Sequence, residues 1–349
     1  MPTKPVKPLH IAIDARMYGT TQRGIGRYLM KLIEHLEQAD VQNEYTIFLR
    51  KENFDEYQPR NPNFKKAVWD APWYGLKEQI TRYTLHATRY TLIHFPHWNV
   101  PLFFNRPFIV TIHDLELFSS NRTRENSTRG RLTYWLKFQA FKIIFRHAVL
   151  AARAIIVPSN FVRQQLLDRY PQVRKKVKVI YEAPTVLDSA SLHSNNKKVY
   201  SSSEVEKPYL LYVGAAYPHK NLPRLLEAWT IVHKELPEYK LVMVGREDFF
   251  WKRLKATYYP LPTTYSIIFY GEATDEELTA LYQNAALLIQ PSLEEGFSLS
   301  PLEALSFGCP VAASDIPVHR EIYGEAVRYF DPLLPGSIAE VLKKTIKNP

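Results

Sequence analysis

Residues 287–314, LLIQPSLEEGFSLSPLEALSFGCPVAAS, leave few choices of fold. Leu287, Leu288 and Ile289 form a short unbroken apolar run, the pattern of a strand buried on both faces of a parallel sheet. After a polar turn, Ser300-Pro301-Leu302-Glu303 meets two helix-start rules together: Ser at the cap with Glu three residues on, and Pro at the first helical position. Gly308 ends that helix, and Pro310, Val311 and Ala312 open the next strand. Strand, tight loop, short helix and strand in this order aim a helix N-terminus beyond the strand's carboxyl end. Unpaired N–H groups and the helix dipole favour an anion there. Glu295 and Glu303 flank the place, eight positions apart, although a carboxylate repels a phosphate. The conflict resolves if the two acids accept hydrogen bonds from adjacent hydroxyls of a sugar or ribose, because a sugar nucleotide carries a diphosphate between two polyols. On the plainer reading, Glu303 completes a capping box and Glu295 is a solvated loop acid.

Similar units recur along the chain. His10 to Asp14 reads as the first strand, with Arg16 just beyond it, a loop from Tyr18 to Gly26, and a helix from about Ile25 to Glu37. Gly24-Ile25-Gly26-Arg27 approaches the dinucleotide fingerprint, but the third glycine is missing and the strand lies about ten residues back. A nicotinamide or flavin site is therefore rejected. Further strands are expected at Tyr45–Leu49, Phe64–Trp69, Leu92–Phe95, Phe108–Ile112, Ala154–Val157 and Val177–Tyr181. A second series is expected at Tyr209–Val213, Tyr239–Val244 and Ser266–Tyr270, with Thr274 capping a helix from Asp275 to Asn284. Strands alternating with helices predict doubly wound parallel sheets, whose ligands sit at strand carboxyl ends. That rule draws attention to His113 and Asp114, although a structural histidine fits the same position. His94 and His97 stand at i, i+3, but Pro96 breaks any helix between them and no carboxylate partner is evident, so no metal is expected.

Motif order now carries a resemblance. Glu295 and Glu303 resemble the E-x7-E signature of retaining glycosyltransferases of the group 1 family. D-A-R-x-Y-G with G-I-G-R-Y, T-x-H-D at Thr111–Asp114, and GAAYPHKN at 214–221 fall in that family's order over nearly the whole length. The resemblance implies a GT-B fold, with an acceptor-side Rossmann-like domain at 1–186, a linker at 187–207 and a nucleotide-sugar domain at 208–349. It implies transfer of a mannose-like hexose from a nucleoside diphosphate sugar to a saccharide or lipid-linked acceptor, with retention and without a metal or other cofactor. By resemblance, His113, Glu295 and Lys220 are catalytic. Gly24, Gly214, His219, Gly245, Ala273, Gly296, Phe297, Ser298, Leu299 and Glu303 join them around the donor, and Arg16, Gly26, Arg27, His97 and Asp114 lie on the acceptor side. The sequence departs from the family twice. Ala215, Ala216 and His219 stand where an arginine usually accompanies the lysine, and the terminal helix that returns to the amino-terminal domain is not found after Asp331-Pro332.

Composition sets the outer bounds. A 46% hydrophobic content over 349 residues suffices for two cores, and one cysteine, Cys309, suits a reducing compartment and excludes an intrachain disulfide. MPTKPVKPLH lacks the apolar core of a signal peptide, and no run approaches the length of a membrane span, so a cytoplasmic protein is expected. The net charge of +10 points to an anionic partner. No nucleic-acid module is recognisable. Residues 129–152 interleave aromatic and basic side chains, which suits either a packing helix with a solvated edge or contact with an anionic membrane. A phosphorylase or epimerase on the same scaffold, or a sugar-nucleotide-binding protein without turnover, are the competing readings.

Overall fold

Two all-parallel sheets organise the protein, seen here in a computed structural model that describes residues 7–19, 23–73, 75, 78, 90–118, 131–184, 205–258 and 266–348. The chain divides into two compact units, one drawn from 1–113, 129–158 and 162–180, the other from 114–128, 159–161 and 181–349. Most of the expected linker, 187–204, lies outside the described residues.

The first unit holds β1 (His10–Asp14), β2 (Glu44–Leu49), β3 (Phe64–Val68), β4 (Leu92–Phe95), β5 (Phe108–Thr111), β6 (Ala154–Val157) and β7 (Val177–Val179) in the order β3-β2-β1-β4-β5-β6-β7. Helix α1 (Arg23–Ala39) begins two residues earlier than the sequence predicts, so Gly24 and Gly26 stand in its first turn and not in a loop. A Cβ on Gly24 would meet nothing within 4 Å, so sterics do not require a glycine there. Leu29 and Ile33 bury the helix against Ile13, Tyr45 and Ile47. Helix α2 (Arg131–Ala151) packs Phe141, Phe145, Ala148 and Val149 inward, and α3 (Asn160–Arg169) follows β6.

The second unit orders β8 (Tyr209–Val213), β9 (Lys240–Val244), β10 (Ile267–Gly271), β11 (Leu287–Gln290), β12 (Val311–Ser314) and β13 (Arg328–Phe330) as β10-β9-β8-β11-β12-β13. Its helices are α4 (Leu222–Glu235), α5 (Phe249–Tyr258), α6 (Asp275–Asn284), α7 (Ser300–Ser306), α8 (Pro317–Tyr323) and α9 (Pro335–Lys347). Successive strand residues serve opposite faces. Leu210, Tyr212, Leu287 and Ile289 pack with Leu225 and Trp229 of α4 and Leu342 of α9. Leu211, Leu288 and Val311 pack with Tyr282 of α6 and Ala304 of α7. Both faces are therefore dry, which is why these strands read as unbroken apolar runs.

In each unit the strand order reverses beside one strand, between β1 and β4 and between β8 and β11. Such a switch point opens a crevice at the strands' carboxyl ends. Among the described residues no helix is long and apolar enough to cross a membrane.

Candidate active site

The β8/β11 switch point gathers most of the expected donor-side residues. Gly214 follows β8 and Gly245 follows β9. The two backbones approach so closely that a Cβ on Gly245 would sit 2.1 Å from the Gly214 carbonyl oxygen and 2.6 Å from the Trp251 ring. Only glycine fits such an approach. Ala273 precedes Thr274, whose hydroxyl accepts from the Glu277 amide while the Glu277 carboxylate accepts from the Thr274 amide, the reciprocal cap expected at α6.

Lys220 ends a short turn of tight helix, and Asn221 beyond it adopts a left-handed φ of 59°. Asparagine tolerates that conformation because its amide bonds locally. Here the buried amide donates to the Pro291 carbonyl at 3.1 Å and to the Pro332 carbonyl at 2.7 Å. The Leu293 amide donates to the carbonyl of buried His219 at 2.7 Å. Two of these bonds fix the turn to the loop after β11 and the third to the segment after β13, and Lys220 Nζ reaches Glu295 Oε1 at 2.6 Å.

Burial alone would raise the Glu295 pKa. The charges of Lys220 and His219, with hydrogen bonds from Lys220 and Ser292, outweigh it and bring the carboxyl to about 2. Glu295 is thus held ionised. Gln290, the last residue of β11, turns its buried amide nitrogen to Ser292 Oγ, Glu295 Oε1 and Ser298 Oγ at 3.1, 2.9 and 2.9 Å. Within the loop, Phe297 is buried and Ser298 holds a φ of 75°, with its carbonyl accepting from Tyr323 at 2.7 Å. Gly296 and Leu299 belong to the same loop.

The start of α7 differs from the expected capping box. Leu299 occupies the cap in a helical conformation, Ser300 is already inside the helix, and no side chain caps it. Glu303 is buried, and its Oε2 accepts from the Tyr282 hydroxyl at 3.0 Å. Its carboxylate therefore serves a tertiary partner and not its own helix end.

In the first unit, Arg16 lies beside β1 but is 1% exposed. Its guanidinium forks onto Asp14 at 2.8 and 2.7 Å, reaches Glu78 Oε1 at 2.5 Å and the Ala71 carbonyl at 3.1 Å, and stacks 3.3 Å from the Trp69 ring centroid. Asn99 donates to the other Glu78 oxygen at 2.7 Å. This network uses the guanidinium to offset the buried carboxylate of Glu78. Arg16 and His97 line a cavity of about 10 Å³ with Asp14 and Asn99, room for about one water.

At the ends of β4 and β5, His113 Nε2 lies 3.0 Å from the Pro96 carbonyl, and its ring meets Tyr28 edge-on at 4.8 Å. His94 Nε2 lies 2.9 Å from Thr111 Oγ1. Desolvation and the neighbouring His113 push both His94 and His97 down to about 3, so both rings are neutral at physiological pH. Asp114 is exposed and accepts from the Glu116 amide at 3.2 Å, and Arg27 is partly buried on α1. No group of three metal-ligating side chains occurs among the described residues.

Asn221, Gln290, Tyr282 and Tyr323 were absent from the sequence reading. Gln290 alone left a signal, as the one polar residue closing the apolar run of β11.

Comparison with known proteins agrees with this architecture. The profile of the family described as "Glycosyl transferases group 1" matches residues 194–349, and that of "Glycosyltransferase Family 4" matches 22–183. The O-antigen chain mannosyltransferase RfbU of Salmonella typhimurium is 27% identical over 240 residues, which span 68% of this chain and 59% of the relative. The O-antigen chain mannosyltransferase B of Escherichia coli is 26% identical over 336 residues, spanning 88% of this chain and 83% of the relative. Sucrose-phosphate synthase from Thermosynechococcus elongatus superposes with a TM-score of 0.68 over 98% of this chain and 90% of its own, at 21% identity, a likeness of fold alone.

Proposed function

Because the chain belongs to the GT-B glycosyltransferases of the group 1 family, we propose that it moves a mannose-like hexose from a nucleoside diphosphate sugar to a saccharide or lipid-linked acceptor, with retention at the anomeric carbon. The observation that carries this reading is the Lys220–Glu295 pair, held by Asn221 and Gln290 at the β8/β11 switch point. The names of the two mannosyltransferase relatives support the choice of sugar.

An ionised, desolvated carboxylate is a strong acceptor for sugar hydroxyls, and Glu295 supplies one. Glu303, oriented by Tyr282, offers the same chemistry to the ribose. Lys220 meets the diphosphate, whose negative charge grows as the sugar leaves, and preorganised cationic stabilisation of that charge lowers the barrier. The bond from the anomeric carbon to the phosphate oxygen breaks, the acceptor oxygen bonds to the same face, and the acceptor proton passes to the departing phosphate oxygen. Neither a metal nor a covalent enzyme intermediate enters this scheme. His113 is assigned to the donor sugar by family resemblance.

A thermal-shift panel of nucleoside diphosphate sugars tests the reading. The true donor raises the melting temperature of the native chain and leaves Glu303→Ala unmoved. A flat response across the panel removes the proposal. With donor and acceptor together, NMR of the new linkage reports retention or inversion, and nucleotide release without a glycosylated product would favour an epimerase or phosphorylase.

A further inference from the structure

Helix α2 carries apolar side chains on its outward as well as its core-facing side, interrupted by Lys137, Lys142 and Arg146. At roughly 100° per residue, Phe141, Phe145 and Ala148 face the core, while Leu136, Ala140, Ile143 and Leu150 fall on the opposite side. That opposite side is open: Trp135 and Leu136 are each 55% exposed and Ile143 is 56% exposed. Beside it, the turn closed by the Phe104 amide donating to the Pro101 carbonyl at 2.9 Å leaves Phe103 73% exposed. Between the turn and the helix runs a groove of about 450 Å³ lined by Leu102, Ile143, Lys142 and Arg146.

Charge identifies the occupant. The sequence contains no aspartate or glutamate from residue 126 to residue 167, and Lys137, Lys142 and Arg146 are all exposed on α2. A protein partner with an ordinary mixed surface would leave these cations without complement. A sheet of phosphate headgroups over hydrocarbon complements both the cations and the projecting Trp135, Leu136, Ile143 and Phe103. We infer that the outer face of α2, with the Phe103 turn, docks on an anionic lipid surface, and that Lys142 and Arg146 seat lipid phosphates at the groove. This inference uses only the first unit and stands apart from the assignment of donor and reaction.

The test is co-sedimentation of the full chain with vesicles of phosphatidylcholine alone or mixed in equal parts with phosphatidylglycerol, at low and high salt. Binding to the mixed vesicles, weak binding to the neutral ones and release by salt are expected. Lys142→Glu/Arg146→Glu should bind the mixed vesicles at least about tenfold more weakly. Leu136→Ser/Ile143→Ser should bind weakly even at low salt, with an unchanged far-UV circular dichroism spectrum showing that the fold is kept. The Trp135 emission, taken as the difference from Trp135→Phe, should shift to the blue on binding. Equal binding to neutral vesicles, binding to neither, or an unaltered Lys142→Glu/Arg146→Glu variant would overturn the inference. So would concentration-dependent self-association abolished by Ile143→Ser, which would make a second copy the occupant.

Discussion

Replacing Lys220 by Met withdraws the cation that keeps Glu295 ionised in a largely dry site. The depression of Glu295 from 4.5 to about 2 corresponds to about 3 kcal/mol of preference for the charged form in the folded state. The folded value lies below the unfolded one, so this stability is fully present above about pH 4.5 and is lost as the pH falls toward 2. Breaking a fully buried pair costs about 3–5 kcal/mol. Lys220 and Glu295 keep 19% and 10% exposure, so Lys220→Met should cost about 2–3 kcal/mol at pH 7. Urea unfolding across the acid range measures it, and hydrogen exchange of the peptide 287–299 locates the loss. In the variant, desolvation of Glu295 is opposed by less, and the decline of stability between about pH 5 and pH 3 should flatten or reverse. Lys220→Met/Glu295→Gln should regain at least half of the loss, because it removes the uncompensated charge. A single variant costing under about 0.5 kcal/mol, or a double variant no more stable than the single, would refute the electrostatic account.

Other consequences are equally specific. Arg16→Lys keeps the charge but loses the fork onto Asp14 and the stacking on Trp69, and thermal unfolding should show a loss of about 2–4 kcal/mol. Gly245→Ala drives a methyl into the Gly214 carbonyl, so it should lower the melting temperature and abolish the shift produced by the donor. Tyr282→Phe deprives Glu303 of one hydrogen bond. Donor KM should rise about tenfold with kcat little changed, whereas a purely structural role would change stability and leave KM alone.

Much of the scaffold was legible because burial on both faces of a sheet leaves a direct imprint. Leu92–Phe95, Ala154–Val157 and Tyr209–Val213 fall at the bounds their apolar runs predict, as does the capped helix Asp275–Asn284. Elements held by tertiary packing left little trace: β13 is three residues long at a sheet edge, and α8 is a two-turn helix. The box at Ser300 failed because Leu299 extends the helical geometry one residue upstream and Tyr282 takes the Glu303 carboxylate. The resemblance placed Arg16 on the acceptor side and gave no sign of the ion pair that buries it. Its partner Glu78 lies 62 positions away, a separation that no local pattern encodes. Gln290 and Asn221 were missed for a related reason, since a single amide that organises a loop has no spacing to betray it.

The Asn221 amide joins the residue after β11 to the segment after β13, stretches 41 positions apart that would otherwise drift independently. A graft that imports a foreign loop at 291–299 must therefore preserve the carbonyl geometry at Pro332 as well. Recombinants that break between these segments should misplace the lysine next to the staple, even when every residue of the transplanted loop is correct.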